Sequence, residues 1–303
     1  MADEIGKFRM RLEYVALRAV AGLVRLAPID AAASVSAAAW RRLAPRYAKK
    51  RHERALANLR IAFPEKSEAE RLAICMAHWE NLGRVMVETM LIDRIIADTS
   101  RIEIRNPALL ARYGGKLGSA IGVSLHMGNW ELAIWPLASV GANPAAVYRS
   151  VKNPLVDSYL KRLRKDLYPG GLFGRGNEEQ EDSEDRKTAR VISDFVRRGG
   201  RLGLVCDQYY RRGIPVPFFA HLASTQPIAA IIARRVGARV WIARCKRIGT
   251  STRFAIDMRE VRVPRTSNIG QDIRDIQAEM LRQFEAWIRE CPEQWMWGNR
   301  VWW

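Results

Sequence analysis

The chain is poor in the residues that build metal sites and disulfide frameworks. Its 303 residues include four histidines and four cysteines. Cys75, Cys206, Cys245 and Cys291 are widely spaced and form no CxxC pair. That excludes zinc-finger and thioredoxin-type patterns. His52, His78, His126 and His221 stand in unrelated contexts without ligand spacing, so no metal is expected. The N-terminus lacks a secretory n-region, because Asp3 and Glu4 come first. The thiols are therefore expected to be reduced and mostly buried in a cytosolic compartment. No long apolar run is present either. The best stretch, Tyr14 to Ala27, is broken by Arg18 and Arg25, and a membrane span needs about 20 predominantly apolar residues. Internal repeats and aromatic-rich RNA-binding signatures are absent, so nucleic acid is not an expected partner.

Acidic residues are scarce relative to basic ones. There are 32 Asp and Glu against 50 Lys and Arg, a formal net charge of +18. Such a balance predicts attraction to an anionic partner: nucleic acid, which the missing motifs disfavour, an anionic membrane surface or an acidic protein. Apolar residues make up 48%, enough for one sizeable core. In the N-terminal segment, residues 1–30, Arg11, Arg18 and Arg25 recur every seventh position and fall on one side of a helix. Two readings stay open for it. It is an interfacial helix with its arginines at lipid headgroups, or an ordinary amphipathic helix with a solvated arginine face.

The chain reads as helical to about Asp93. Ser67 and Glu70 form a capping box ahead of an apolar stripe. Short β-rich runs then alternate with helices. Residues 120–125 and 201–207 read as strands, and 129–140 as a helix. The expected fold is α/β, with a mixed, largely parallel central sheet flanked by helices and an N-terminal helical region. Residues 31–303 form one domain in this reading. Residues 174–187 hold six carboxylates between Glu178 and Asp185 and have the composition of a flexible acidic loop.

The stretch SLHMGNWELA, Ser124 to Ala133, concentrates the chemistry. His126 follows an apolar strand, at the sheet edge where α/β proteins bind ligands. Gly128 permits an unusual backbone angle or a close approach. Asn129 suits a helix N-cap. Glu131, in the first turn, is placed to accept the imidazole N–H and leave the other ring nitrogen to act as a base. The alternative is a capped helix start that happens to carry a histidine. Further on, YRSVKNPL places Arg149 and Lys152 after a strand, where they would grip a phosphate. CDQ puts Asp207 at another strand end. VPFF (Val216 to Phe219) is an acyl-groove wall or plain core. PEQWMWGNRVWW ends the chain on four tryptophans that suit a membrane belt or a core.

Taken in order, HMGNWE, YRSVKNPL, DQ, VPFF and PEQWMW resemble the late acyltransferases of lipid A biosynthesis, of lauroyl and myristoyl type, within the lysophospholipid-acyltransferase-like superfamily. The resemblance begins at NLRIAFPEKSEAER (Asn58 to Arg71) and runs to the C-terminus. It implies transfer of a fatty acyl chain from acyl carrier protein to a hydroxyl of a lipid A precursor, without a cofactor, at the cytoplasmic face of the bacterial inner membrane. It implies His126 as general base with Glu131 as partner, and Arg149 and Asp207 as binding or organising residues. Backbone N–H groups near Gly128 and Asn129 are further candidates, as oxyanion donors. Two departures stand out. Arg18 and Arg25 interrupt the segment where relatives often carry a membrane anchor, which points to peripheral or monotopic attachment. The acidic stretch at 178–185 should repel an acidic carrier. The alternatives are a related enzyme acting on another glycolipid or a lysophospholipid, and a non-catalytic basic membrane-binding protein.

Overall fold

Prolines and capping residues cut the first third of the chain into helices. A computed structural model describes residues 2–111, 118–175 and 181–302. It has α1 (Ala2–Leu26), α2 (Ile29–Tyr47), α3 (Lys49–Ala62), α4 (Glu68–Met90) and α5 (Ile92–Ala97). Pro28 separates the first two. Ser67 caps α4 through the expected box: the Glu70 N–H donates to Ser67 Oγ at 3.3 Å, and the Ser67 N–H donates to Glu70 Oε2 at 2.8 Å. The alternating part follows as β1 (Ile102–Ile104), α6 (Pro107–Ala111), β2 (Ala120–Gly128), α7 (Trp135–Ser139), β3 (Ala145–Arg149), α8 (Pro154–Leu163), β4 (Gly171–Arg175), α9 (Glu181–Arg197) and β5 (Arg201–Val205). A hairpin of β6 (Tyr209–Phe218) and β7 (His221–Thr225) precedes α10 (Ile228–Val236), β8 (Arg239–Arg247), β9 (Phe254–Val261) and α11 (Ile269–Glu290).

Seven strands form the main sheet in the order β1-β9-β8-β2-β5-β3-β4. Every neighbouring pair is parallel except β8 with β9. The sheet is thus mixed and largely parallel, as the alternation of strand and helix patterns predicted. Its pleat sorts β2 onto two faces. Ile121, Val123, Leu125 and Met127 enter one apolar cluster, with residues of α3, α4, α10 and α11. The intervening Gly122 and Ser124 face a small cavity of about 50 Å³, also lined by Trp130, Tyr168 and Trp241. The register with β8 shifts between Ser124 and Gly128, but Leu125 and Met127 both stay in the first cluster, which leaves His126 between them on the second face, beside Trp130.

Several expectations are revised. Residues 129–140 do not form one helix: a 3₁₀ turn at Trp130–Ile134 precedes α7. The acidic stretch is not a loop throughout. Gly174 and Arg175 end β4, and the chain from Glu181 onward is the start of α9; Glu178 lies outside the described residues. Acidic residue types suit a helix N-terminus, where the backbone dipole is positive. Of the two readings of VPFF, the core one holds: Val216, Phe218 and Phe219 are buried. Trp295 and Trp297 are buried too and form no membrane belt, because their rings pack edge to face at 4.5 Å and against Phe63, Phe218 and Phe219.

In α1 two arginines of the stripe, Arg18 and Arg25, contact the rest of the protein. Arg25 forks onto Asp93 at 2.6 and 2.9 Å. Arg18 donates to the Tyr14 hydroxyl at 3.1 Å and lies over the Tyr159 ring. The outward face is apolar: Phe8, Leu12, Val15, Leu23 and Leu26 are all more than half exposed and follow one helical stripe. No described helix is long and apolar enough to cross a membrane.

His78, buried in α4, carries a testable pH signature. Its Nε2 has no hydrogen-bond partner among the described residues. Burial pushes its pKa down from 6.5 to about 4, only partly offset by a hydrogen bond with the Trp295 backbone. The unfolded chain therefore binds more protons between those pH values, and stability falls as pH drops through that window. The expected loss is about 3 kcal/mol. Urea titrations from pH 7 to 4 should show it, and His78→Leu should flatten that part of the profile.

Candidate functional site

Parallel pairing of β2 and β5 brings two strand ends side by side. The Cys206 N–H donates to Ser124 O at 3.1 Å, which carries Asp207 alongside His126. The Asp207 carboxylate accepts three hydrogen bonds: from the His126 backbone N–H at 2.8 Å, from the His126 ring at Nδ1 at 2.7 Å, and from the Trp295 indole at 2.7 Å. Asp207 is only 1% exposed. Burial alone would raise its pKa; the charge of His126 and these hydrogen bonds hold it below the usual carboxylate value. An ionised carboxylate only accepts, so Nδ1 carries a proton, and in the neutral ring the lone pair is then on Nε2. Gln208 lies along the ring edge, its amide nitrogen 3.0 Å from Nδ1 and 3.3 Å from Nε2. Trp130 stands edge-on to the imidazole at 5.3 Å. A histidine held this way can take a proton from a hydroxyl and return it to a leaving group.

Glu131 does not hold the ring. Its buried carboxylate is forked by Arg164, Nε to Oε2 at 2.8 Å and Nη2 to Oε1 at 2.6 Å. The reason is geometric and energetic. The 3₁₀ turn puts Trp130 beside His126, and a bidentate guanidinium binds a buried carboxylate more strongly than one imidazole N–H. Burial lowers the Arg164 pKa, but the Glu131 charge more than compensates, so Arg164 stays above its ordinary value.

Gly128 has φ +58°, and a Cβ there would collide with the Cys245 carbonyl oxygen. Gly128→Ala is expected to cost about 3 kcal/mol or more, from strain at positive φ and from the clash. Urea denaturation would measure this, and activity should fall with it. Asn129 occupies the cap position, but its side chain makes no cap. It donates instead to Glu88 Oε2 at 3.0 Å.

Behind this turn lies a buried polar network that the sequence did not disclose. Arg247, at the end of β8, forks onto Glu88 of α4 through Nη1–Oε1 and through Nη2–Oε2 at 2.8 Å. Arg247 Nε donates to Asn81 Oδ1 at 3.1 Å, and the Asn81 amide donates to the Gly128 carbonyl at 3.1 Å. Gln294 closes the set through paired hydrogen bonds with the Arg247 backbone, at 2.7 and 3.1 Å. The His126 turn is thereby clamped from α4, β8 and the C-terminal segment at once.

Arg149 ends β3, two strands from β2. Lys152 is exposed in the loop that follows. Asn153 closes that loop. Its Oδ1 caps α8, and its amide donates to the Met10 carbonyl of α1 at 2.8 Å. His126, Gly128, Asn129 and Asp207 are thus assembled at one edge, with Arg149 and Lys152 on a neighbouring strand end.

By fold and site this is an α/β protein with a histidine–carboxylate centre at the carboxyl edge of its parallel strands. The sequence pattern of the bacterial lipid A biosynthesis acyltransferases matches residues 7–303. Among curated relatives, lipid A biosynthesis acyltransferase 1 of Shigella flexneri is 26% identical over 270 residues, 84% of this chain and 76% of the relative. The lipid A biosynthesis lauroyltransferase of Escherichia coli strain K12 is 27% identical over 271 residues, 86% of this chain and 81% of the relative. The myristoyltransferase of the same strain is 25% identical over 262 residues, covering 84% and 76%. The chain belongs to the bacterial lipid A biosynthesis acyltransferase family.

Proposed function

We propose that the protein moves a fatty acyl chain from an acyl carrier protein thioester to a free hydroxyl of a lipid A precursor. The His126–Asp207 pair carries this reading. His126 Nε2 takes the proton of the acceptor hydroxyl as its oxygen attacks the thioester carbonyl. The C–S bond then breaks, and the imidazolium returns the proton to the leaving thiolate. Asp207 fixes the tautomer and compensates the charge on the ring. Glu131 acts through Arg164, anchoring the end of α8. Arg149 and Lys152 are read as phosphate-binding groups. No protein nucleophile is needed, and burial pushes the Cys245 thiol up to about 12, which suits a packing role.

Residues 31–303 are the catalytic unit in this reading, and residues 1–30 the surface anchor. The outward apolar stripe of α1 favours a helix lying in the interface at the cytoplasmic face of the inner membrane. The net charge of +18 suits an anionic lipid surface and an acidic carrier alike.

The test is direct. Purified protein, acyl-loaded carrier and lipid A precursor should give a product heavier by one acyl chain, with one carrier thiol released per transfer. Transfer to a lysophospholipid but not to the lipid A precursor would reassign the acceptor. Absence of transfer from any acyl thioester would defeat the reading.

A further inference from the structure

Helices α2 and α4 enclose a cleft of about 680 Å³, and none of its lining residues belongs to the site described above. Its lining is charged mainly with one sign: Arg41, Arg42 and Arg46 from α2, Arg84 from α4, and a single opposing carboxylate, Glu80. Glu80 is occupied, since Arg41 Nη1 donates to it at 2.7 Å. Arg46 is turned onto the Arg42 carbonyl at 2.6 Å.

Arg84 is the unusual member. It is only 8% exposed, yet its one hydrogen bond among the described residues runs from Nη1 to the Ser34 hydroxyl at 3.2 Å. No carboxylate among the described residues pairs with it. Glu88, one helical turn along α4, is taken by the Arg247 fork and the Asn129 amide. Burial pushes the Arg84 pKa down, and the charge of Arg247 pushes it further; Glu88, Glu80 and Asp30 attract it from a distance without forming an ion pair, and only partly offset this. A nearly buried guanidinium without a counter-ion is costly, and here it opens into a cleft with spare cationic charge.

We propose that this cleft binds a phosphate group, with Arg84 at its floor and Arg42 and Arg46 at its rim. Planar guanidinium forks suit phosphate oxygens. The same helix displays Val35, Leu43 and Tyr47, 73%, 50% and 84% exposed. These place apolar surface beside the charge and favour a lipid headgroup over a soluble anion as the source of the phosphate.

The test uses the full chain and does not depend on acyl transfer. Thermal unfolding is followed in inorganic phosphate and in chloride at matched ionic strength. Flotation is compared on phosphatidylcholine vesicles with and without phosphatidic acid. Phosphate should raise the unfolding temperature of the wild type, and phosphatidic acid should increase flotation. Arg84→Met should unfold no earlier than wild type in chloride, because it removes an unpaired buried charge. It should weaken the response to phosphate and to phosphatidic acid by about tenfold or more. The exposed-face variant Arg42→Gln/Arg46→Gln leaves the core untouched and should weaken both responses in the same direction. A phosphate response lost in Arg84→Met, with flotation indifferent to phosphatidic acid, would assign the site to a soluble phosphate. Unchanged responses in both variants would overturn the proposal, as would destabilisation of Arg84→Met with its phosphate response intact.

Discussion

Asp207→Asn should lower kcat for acyl transfer by about 10²–10⁴-fold and leave KM for the acceptor nearly unchanged. The amide side chain has nearly the same shape, so the Trp295 hydrogen bond can persist through its oxygen. What changes is the tautomer and the charge. The introduced amide would offer an N–H toward Nδ1 as readily as a carbonyl, and it would not compensate an imidazolium. His126→Ala should be at least as damaging, because it removes the base itself. Glu131→Gln separates the two carboxylates. It leaves Arg164 with a weaker partner and should act mainly on stability and on the placement of α8. Steady-state kinetics with an acyl-loaded carrier, together with urea unfolding of each variant, would decide. If Asp207→Asn turns over at the wild-type rate while Glu131→Gln is inactive and fully folded, the carboxylate roles are reversed.

Arg247→Met should destabilise the fold by about 3–5 kcal/mol, since it strands the Glu88 carboxylate in a dry interior. The double replacement Arg247→Met/Glu88→Leu removes both charges and should recover most of that loss. Activity should not return with stability. The pair also holds the Asn129 amide and, through Asn81, the Gly128 carbonyl, and a hydrophobic repacking holds neither. A double variant that is both stable and fully active would show that the turn needs no clamp. Chemical denaturation and kcat on the same preparations separate the outcomes.

The sequence made the sheet, its helices and the chemical edge legible. The apolar run before His126 and the glycine after it marked a strand end, and CDQ marked a second one. Their adjacency was out of reach, because parallel pairing joins residues 81 apart in the chain and leaves no local pattern. Proximity in sequence pointed instead to Glu131, whose partner Arg164 lies 33 residues on. Buried ion pairs such as Glu88–Arg247 are harder still. They sit in otherwise ordinary helix and strand patterns, and periodicity registers only that a polar residue falls on an apolar face. The hairpin of β6 and β7 was missed because Pro215 and Pro217 weakened its strand signal. Trp295, Trp297 and VPFF could be assigned to core only once their rings were seen to meet.

The pleat of β2 has a consequence for how the gene can vary. His126 shares a face with Gly122 and Ser124, and alternate residues belong to the opposite core. Deleting or inserting one codon between Ala120 and Leu125 would carry the imidazole through the sheet and bring Met127 or Leu125 to the reacting edge. Substitutions of similar size are tolerable along this segment, but changes of length are not. Its residue count should be invariant among working versions of the protein, even where its composition drifts.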